Sequence, residues 1–290
     1  MALLCPKCRS TGELGKGFVL NGFYFRTDDS RWIQRFYHNG CGGSPSLASA
    51  SRWFRAKKRR HHEALRKHFA SLGAIRRGAY NMNLNRKTIA RKLELLGEEA
   101  EERVKAANLL YEKVRVVEFD DLETFEHSKC KPLSVTLAVQ SQTRRILGFQ
   151  VSSMPAKGKL AARALKKYGP RKDGRRKARN RLFKHLQTLV HEEAQFRSDA
   201  HPHYPKVVKK YFPKANHVAF LSRRGSLGGG GELKVGGFDP LFSLNHTCAS
   251  FRMNVTRVLR KTWYTTKRAD RLSAHLWLYA DFHNTKLEQN

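Results

Sequence analysis

Apolar residues are distributed along the chain in two rhythms. Lys113–Phe125 reads Lys-Val-Arg-Val-Val-Glu-Phe-Asp-Asp-Leu-Glu-Thr-Phe, where β-branched Val114, Val116 and Val117 lead into Phe119 and predict a short buried strand. Asp120 and Asp121 follow it directly. Leu133–Gln140 and Arg145–Val151 predict two more strands, with Gln142-Thr143-Arg144 as the turn between them. Further on, Ala194–Asp199 predicts a strand ending in a turn, Tyr204–Tyr211 a helix, and Val218–Leu221 another strand. A helix is expected from near Asn245 to Tyr264, with Phe251, Val255, Val258 and Leu259 as its core stripe, and Leu272–Phe282 predicts a closing apolar helix. Strands beside helices in this order predict an α/β domain over 111–290.

The first 110 residues follow a different plan. Phe18–Phe25 and Trp32–Tyr37 are strand-like inside an expected small domain, 1–50. From 51 to 110 the pattern is helical. Arg52–Phe69 is basic with one apolar stripe, and Leu72–Leu84 predicts a short helix and a tight turn. Asn85 then caps a second helix, Arg86–Leu96, expected to stop at Gly97. Ile89, Leu93 and Leu96 share its buried face, which leaves Arg86, Lys87 and Arg91 pointing outward. Two helices and a turn of this kind match helix-turn-helix geometry, with the second helix entering a major groove. Glu98–Glu102 is expected to begin a linker helix.

Charge sharpens this outline. Lys and Arg number 57 against 24 Asp and Glu, a formal net charge of +33. A surplus of that size repels itself and calls for a polyanion, with nucleic acid the default partner. Lys157–Lys184 concentrates it, with seven lysines and six arginines against one aspartate, and is expected to form a helical, phosphate-binding face or insertion. A basic RNA-binding or ribosomal protein accounts for the charge but not for strand-end aspartates followed by an Asn/Arg helix. No apolar run reaches the roughly 18 residues needed to span a membrane. The N-terminus lacks a charged segment followed by an apolar core, so a cytoplasmic location is expected. Five cysteines in unequal contexts favour metal-bound or free thiols over a disulfide framework.

The candidate chemistry falls in two places. Cys5-Pro-Lys-Cys8 and His38-Asn-Gly-Cys41 are two knuckles separated by strand-like sequence, the donor set of a closed tetrahedral zinc site. A segment this short buries little, so metal ligation is expected to supply much of its folding free energy. Asp120 and Asp199 are the second place: acids at strand ends are costly unless cations balance them. Asn245 and Arg252 are seven apart on one helix and so share a face. Gly228–Gly231 lacks the Gly-Lys-Ser/Thr ending of a P-loop and reads as a flexible loop.

Taken together, these segments resemble the DDE transposases of bacterial insertion sequences, closest to the group typified by insertion sequence one. The resemblance runs through Cys5-Pro-Lys-Cys8, Asn85–Leu93, Phe119–Phe125, Ser198-Asp199, Arg252 with Arg260-Lys-Thr-Trp263, and Tyr279 with His283-Asn284. It implies a zinc ribbon (1–50), a helix-turn-helix and linker helix (51–110) and a ribonuclease-H-like catalytic domain (111–290). It also implies that Asp120, Asp199 and Asn245 hold two Mg2+ or Mn2+ ions for strand cleavage and transfer. Arg252 matches the basic residue that contacts terminal phosphate, and Arg86, Lys87 and Arg91 would read the terminal repeats. Asn245 departs from the family's glutamate, and Asp239 or Glu232 is an alternative source of the charge. The implied partners are double-stranded DNA, at terminal repeats and target, and further copies of the chain in a homodimer or larger assembly. The implied location is the bacterial nucleoid. The alternative is a catalytically inactive DNA-binding protein derived from a transposase.

Overall fold

The computed structural model describes residues 3–51, 53–221, 239–259 and 264–289. Gly228–Gly231, Glu232 and the Arg260–Trp263 line lie outside the described residues. The chain divides into two compact units, Met1–Leu65 and Arg66–Asn290.

In the first unit, β1 (Leu3–Leu4), β2 (Thr11–Leu14), β3 (Gly17–Arg26) and β4 (Arg31–His38) form one sheet in that order. The antiparallel hairpin β3–β4 runs from Phe18↔His38 to Arg26↔Arg31, with an irregularity between Leu20 and Phe23. Its buried apolar cluster is Leu3, Cys5, Phe18 and Phe36, with Cys41 packed against it. So small a core buries too little apolar surface to offset the entropy of ordering the chain. The helix expected over Arg52–Phe69 forms only at α1 (His62–Ala70). Arg55 and Lys58 take left-handed φ values of 59°, which interrupts a right-handed helix. The Asp28 carboxylate takes up the freed amides, accepting from the backbone of Lys58 and, at 3.0 Å, of Arg59.

The second unit is built on β5 (Val114–Phe125), β6 (Pro132–Gln140), β7 (Ile146–Ser153), β8 (Val190–Asp199) and β9 (Asn216–Phe220). The sheet order is β7-β6-β5-β8-β9. β5, β6 and β7 form an antiparallel meander, while β8 and β9 run parallel to β5. Helices cover both faces. On one face α5 (Arg175–Leu186) and α6 (Tyr204–Tyr211) bury Val117, Phe119, Leu182, Phe183, Phe196, Val207 and Val208. On the other, α7 (Phe242–Asn254) and α8 (Ala269–Glu288) pack Phe251 and Trp277 onto Phe149 of β7. Alternation along β5 decides which side chains meet which helices: Val117, Phe119 and Asp121 face α5 and α6, and Glu118 and Asp120 face α7.

A clear helix-turn-helix is absent among the described residues. α2 (Ile75–Asn81) is short, and the next helix, α3, runs from Arg86 to Asn108, well past Gly97. Asn85 caps it as expected, its side chain accepting from Lys87 N at 2.8 Å. Gly97, however, is a point of close helix approach and not a stop. A Cβ there would lie 2.4 Å from the Cβ of Ala274 and 2.7 Å from its carbonyl oxygen on α8. Ile89, Leu93, Leu96, Ala100 and Val104 form the buried stripe of this one long helix, and Glu98–Glu102 lies in its middle.

Lys157–Lys184 is helical over much of its length, as expected, and most of its Lys and Arg side chains are exposed. The segment holds α4 (Ala161–Tyr168) and α5, and Ala178, Arg179, Leu182 and Phe183 of α5 are buried. α7 ends at Asn254, ten residues short of the expected Tyr264, where Val255 turns to an extended φ of −109° and ψ of 104°. Val255 and Val258 remain buried beyond the helix end. His283 and Asn284 have structural roles. Asn284 accepts from Ile146 N at 2.9 Å and donates to Ile146 O at 3.0 Å, which completes the edge strand β7. The His283 ring lies 3.0 Å from the Arg144 carbonyl.

Candidate active site and metal cluster

β5 and β8 pair only as far as Glu118↔Arg197, and beyond that point they separate. β8 continues along β9 to Asp199↔Phe220, while β5 continues along β6 through Asp120↔Leu137. Asp120 and Asp199 therefore sit one on each side of the opening. Each lies two residues beyond a partner in the last shared pair, so both are on the α7 face of the sheet. The structure brings these two sequence-predicted acids together. Their charges repel: burial, and then the neighbouring Asp199, push the Asp120 carboxyl up to about 7. One oxygen of Asp120, Oδ1, accepts from the Tyr204 hydroxyl at 2.8 Å and from Asp121 N at 2.7 Å. Asp199 Oδ1 accepts from His201 N at 3.2 Å, which shapes the turn after β8.

Asp121 points to the opposite face and is already engaged. Its carboxylate is 2.9 Å from Arg179 Nη1 and accepts from the Thr136 hydroxyl. Both ends of this ion pair are buried, at 6% and 10% side-chain exposure, so Asp121 is a structural counterion to α5.

α7 is fixed to β5 by a side chain that sequence reasoning passed over. Glu118 is 2% exposed. It accepts from Leu244 N at 2.9 Å in the first turn of α7 and from the Ser141 hydroxyl at 2.6 Å. The signal was available, because Glu118 and Asp120 are two apart on a strand and share a face. The stripe Asn245, Cys248, Arg252 then runs along α7 at helical spacing. Cys248 registers how near that stripe is to the acids. Its thiol is pushed up to about 12 by burial and then by the Asp120 charge, with Arg252 acting in the opposite sense. Asn245 and Arg252 are both exposed. The Asn245 amide donates to the Asp239 carboxylate at 3.0 and 3.3 Å, and Asp239 also accepts from Leu241 N at 3.0 Å at the helix start. Arg86, Lys87 and Arg91 are exposed on α3, far along the sequence from these acids. An open cavity of about 380 Å³ beside the start of α3 is lined by Arg76, Tyr80, Asn85 and Arg86.

In the first unit, the four donors of Cys5, Cys8, His38 and Cys41 all lie within 4.8 Å of one another. Cys5 and Cys41 sulfurs are 3.5 Å apart, and His38 Nδ1 is 3.1 Å from Cys41 Sγ and 3.4 Å from Cys8 Sγ. Ligand–zinc lengths of about 2.0–2.3 Å in a tetrahedron give edges of roughly 3.5–3.8 Å, close to this spacing. Hydrogen bonding to Ser10 holds the Cys8 thiol down at about 6, so it is poised to ligate as thiolate. The ring of Phe18 stacks on His38 at 4.5 Å and orients it. Gly43 leaves the space: a Cβ there would lie 2.7 Å from Cys5 Sγ and 3.2 Å from Cys41 Sγ. The cluster is consistent with a zinc site.

The sheet topology places the two acids in a mixed α/β domain. No protein-family model and no curated protein matches the chain. Among solved structures it is similar to the crystal structure of the catalytic domain of Mos1 mariner transposase. That match has 15% identity, covers 68% of this chain and 94% of that one, and has a TM-score of 0.23. No described helix is long and apolar enough to cross a membrane.

Proposed function

We propose that this protein is a DNA transposase that binds the ends of an insertion sequence and carries out metal-dependent strand cleavage and strand transfer. The observation that carries the reading is the pair Asp120 and Asp199 on either side of the point where β5 and β8 separate, with Asp120 pushed up to about 7 first by burial and then by Asp199. A carboxylate pair in this state favours a divalent cation, which removes the repulsion and replaces the proton. Asp120, Asp199 and, from the stripe on α7, the amide oxygen of Asn245 would hold two Mg2+ or Mn2+ ions. Bound there, the ions would activate a water or 3′-hydroxyl and neutralise charge on the leaving oxygen of an in-line displacement.

The protein's own groups would do the rest. Glu118 fixes α7 against β5, so that Asn245 and Arg252 keep their register on Asp120. Arg252 would take a backbone phosphate near the scissile bond, adding a contact whose strength falls with salt. Arg86, Lys87 and Arg91, exposed at the start of α3, would contact duplex DNA at the terminal repeats. The Cys5, Cys8, His38, Cys41 cluster would hold zinc as a structural centre. Two transposon ends must be cut together, so the working form on DNA would be a homodimer or larger.

Strand-transfer assays on end-containing duplexes, with Asp120→Ala and Asp199→Ala, test the reading. Loss of product in both variants with DNA binding retained is the expected result, and unchanged activity in either one refutes it. One observation favours the alternative, a DNA-binding protein without catalysis: the Asn245 amide is neutral and already donates to Asp239. Metal-dependent nicking of a transposon end separates the two.

A further inference from the structure

Tyr204, in the first turn of α6, is buried at 0% exposure, and its hydroxyl donates to Asp120 on β5. The ring is held on three sides. Phe119 lies at 4.9 Å, the His201 ring is stacked at 4.8 Å and 27°, and the Arg179 guanidinium is 5.8 Å from the ring centre. Arg179 is itself fixed by Asp121 at 2.9 Å. The hydroxyl therefore has one position, and in it donates to Oδ1 at 2.8 Å. That oxygen also accepts from Asp121 N at 2.7 Å. A carboxylate oxygen has two lone-pair directions, so two donors fill Oδ1.

We propose that Tyr204 is a positioning residue that reserves Asp120 Oδ1 for the protein and leaves Oδ2 as the single oxygen that meets a divalent cation. The inference rests on the reading of Asp120 as a cation ligand. It deepens that reading, because it makes Asp120 a one-oxygen ligand and not a two-oxygen clamp. Partners that orient a metal ligand typically change metal affinity about 10- to 100-fold when removed. Tyr204→Phe deletes only the hydroxyl and keeps the ring in its packed place.

The test uses the full-length protein, isolated with its zinc, and titrates Mn2+ calorimetrically without DNA. Strand-transfer rates are then measured across Mn2+ concentrations. Wild type is expected to bind Mn2+ saturably, with that binding lost in Asp120→Asn. Tyr204→Phe is expected to bind Mn2+ at least about 10-fold more weakly. Its strand-transfer rate should need correspondingly more Mn2+ while the KM for DNA stays unchanged. A purely structural role for the hydroxyl predicts lower thermal stability with the Mn2+ dependence unmoved, and that result overturns the inference alone. Equal Mn2+ binding by wild type and Asp120→Asn overturns the cation-site reading together with the inference.

Discussion

Replacing Asp120 with asparagine is predicted to stabilise the protein in buffer without added Mg2+ or Mn2+. The carboxyl is held at about 7 against an ordinary 3.8, first by burial and then by Asp199. Folding thus favours the protonated form, and the ionised form carries a penalty that folding must meet. At about 1.4 kcal/mol per pH unit, that penalty has a ceiling of about 4 kcal/mol above pH 7. Below the unfolded value, near pH 4, it is absent, and by pH 5 it is under half its ceiling. Asparagine has the same shape, no charge, and a carbonyl oxygen able to accept from Tyr204 and Asp121 N as the carboxylate does. Its advantage should therefore be roughly 1–4 kcal/mol at pH 8 and fade toward pH 4. Urea denaturation of wild type and Asp120→Asn, followed by tryptophan fluorescence at pH 5 and pH 8, measures the gap. Adding Mg2+ should then raise the midpoint of wild type and leave the variant where it was. A variant no more stable than wild type at pH 8, or a gap of equal size at both pH values, refutes the reasoning.

Three further outcomes follow from the packing and the clusters. Gly97→Ala adds helix propensity of about 1 kcal/mol, yet its Cβ would sit 2.4 Å from Ala274 Cβ, so α3 and α8 must part. A net loss of about 1–3 kcal/mol in urea stability is expected, and a gain would show that the helices adjust freely. Arg179→Met leaves Asp121 charged and buried without its partner and should cost about 3–5 kcal/mol. Adding Asp121→Asn should recover much of that loss in the same measurement. Chelation of zinc, or Cys5→Ser, should abolish the β-sheet far-UV signal of the first unit, whose buried apolar cluster among the described residues is Leu3, Cys5, Phe18 and Phe36. Retention of that signal after complete metal removal would show that the sheet stands without a metal.

Much of the frame was legible because local chemistry and topology agree. The helix Tyr204–Tyr211 was read at its bounds, since Pro205 at the helix start and the apolar spacing point the same way, and the strand's end at Asp199 was read while its start, Val190, lies four residues before the expected Ala194. The paired knuckles announced four donors that the fold places within 4.8 Å. Gly97 misled because a glycine that ends a helix and one that lets two helices touch look alike in a single sequence. Arg179 was hidden in a run of cations, where nothing local tells the one residue paired to Asp121 from its solvated neighbours. The face Glu118 shares with Asp120 was readable from strand alternation, but the partners of Glu118 and Tyr204, Leu244 and Asp120, are 126 and 84 residues away and no local pattern names them.

The attachment of Leu244 to Glu118 also bears on how this domain tolerates change. Because the first turn of α7 is pegged to the strand that bears Asp120, one hydrogen bond ties the α7 stripe to the acid it accompanies. The glutamate thus works as a mooring for the helix, holding it in place against the strand. Cutting the peg with Glu118→Ala would let α7 drift, even though the glutamate itself touches no substrate.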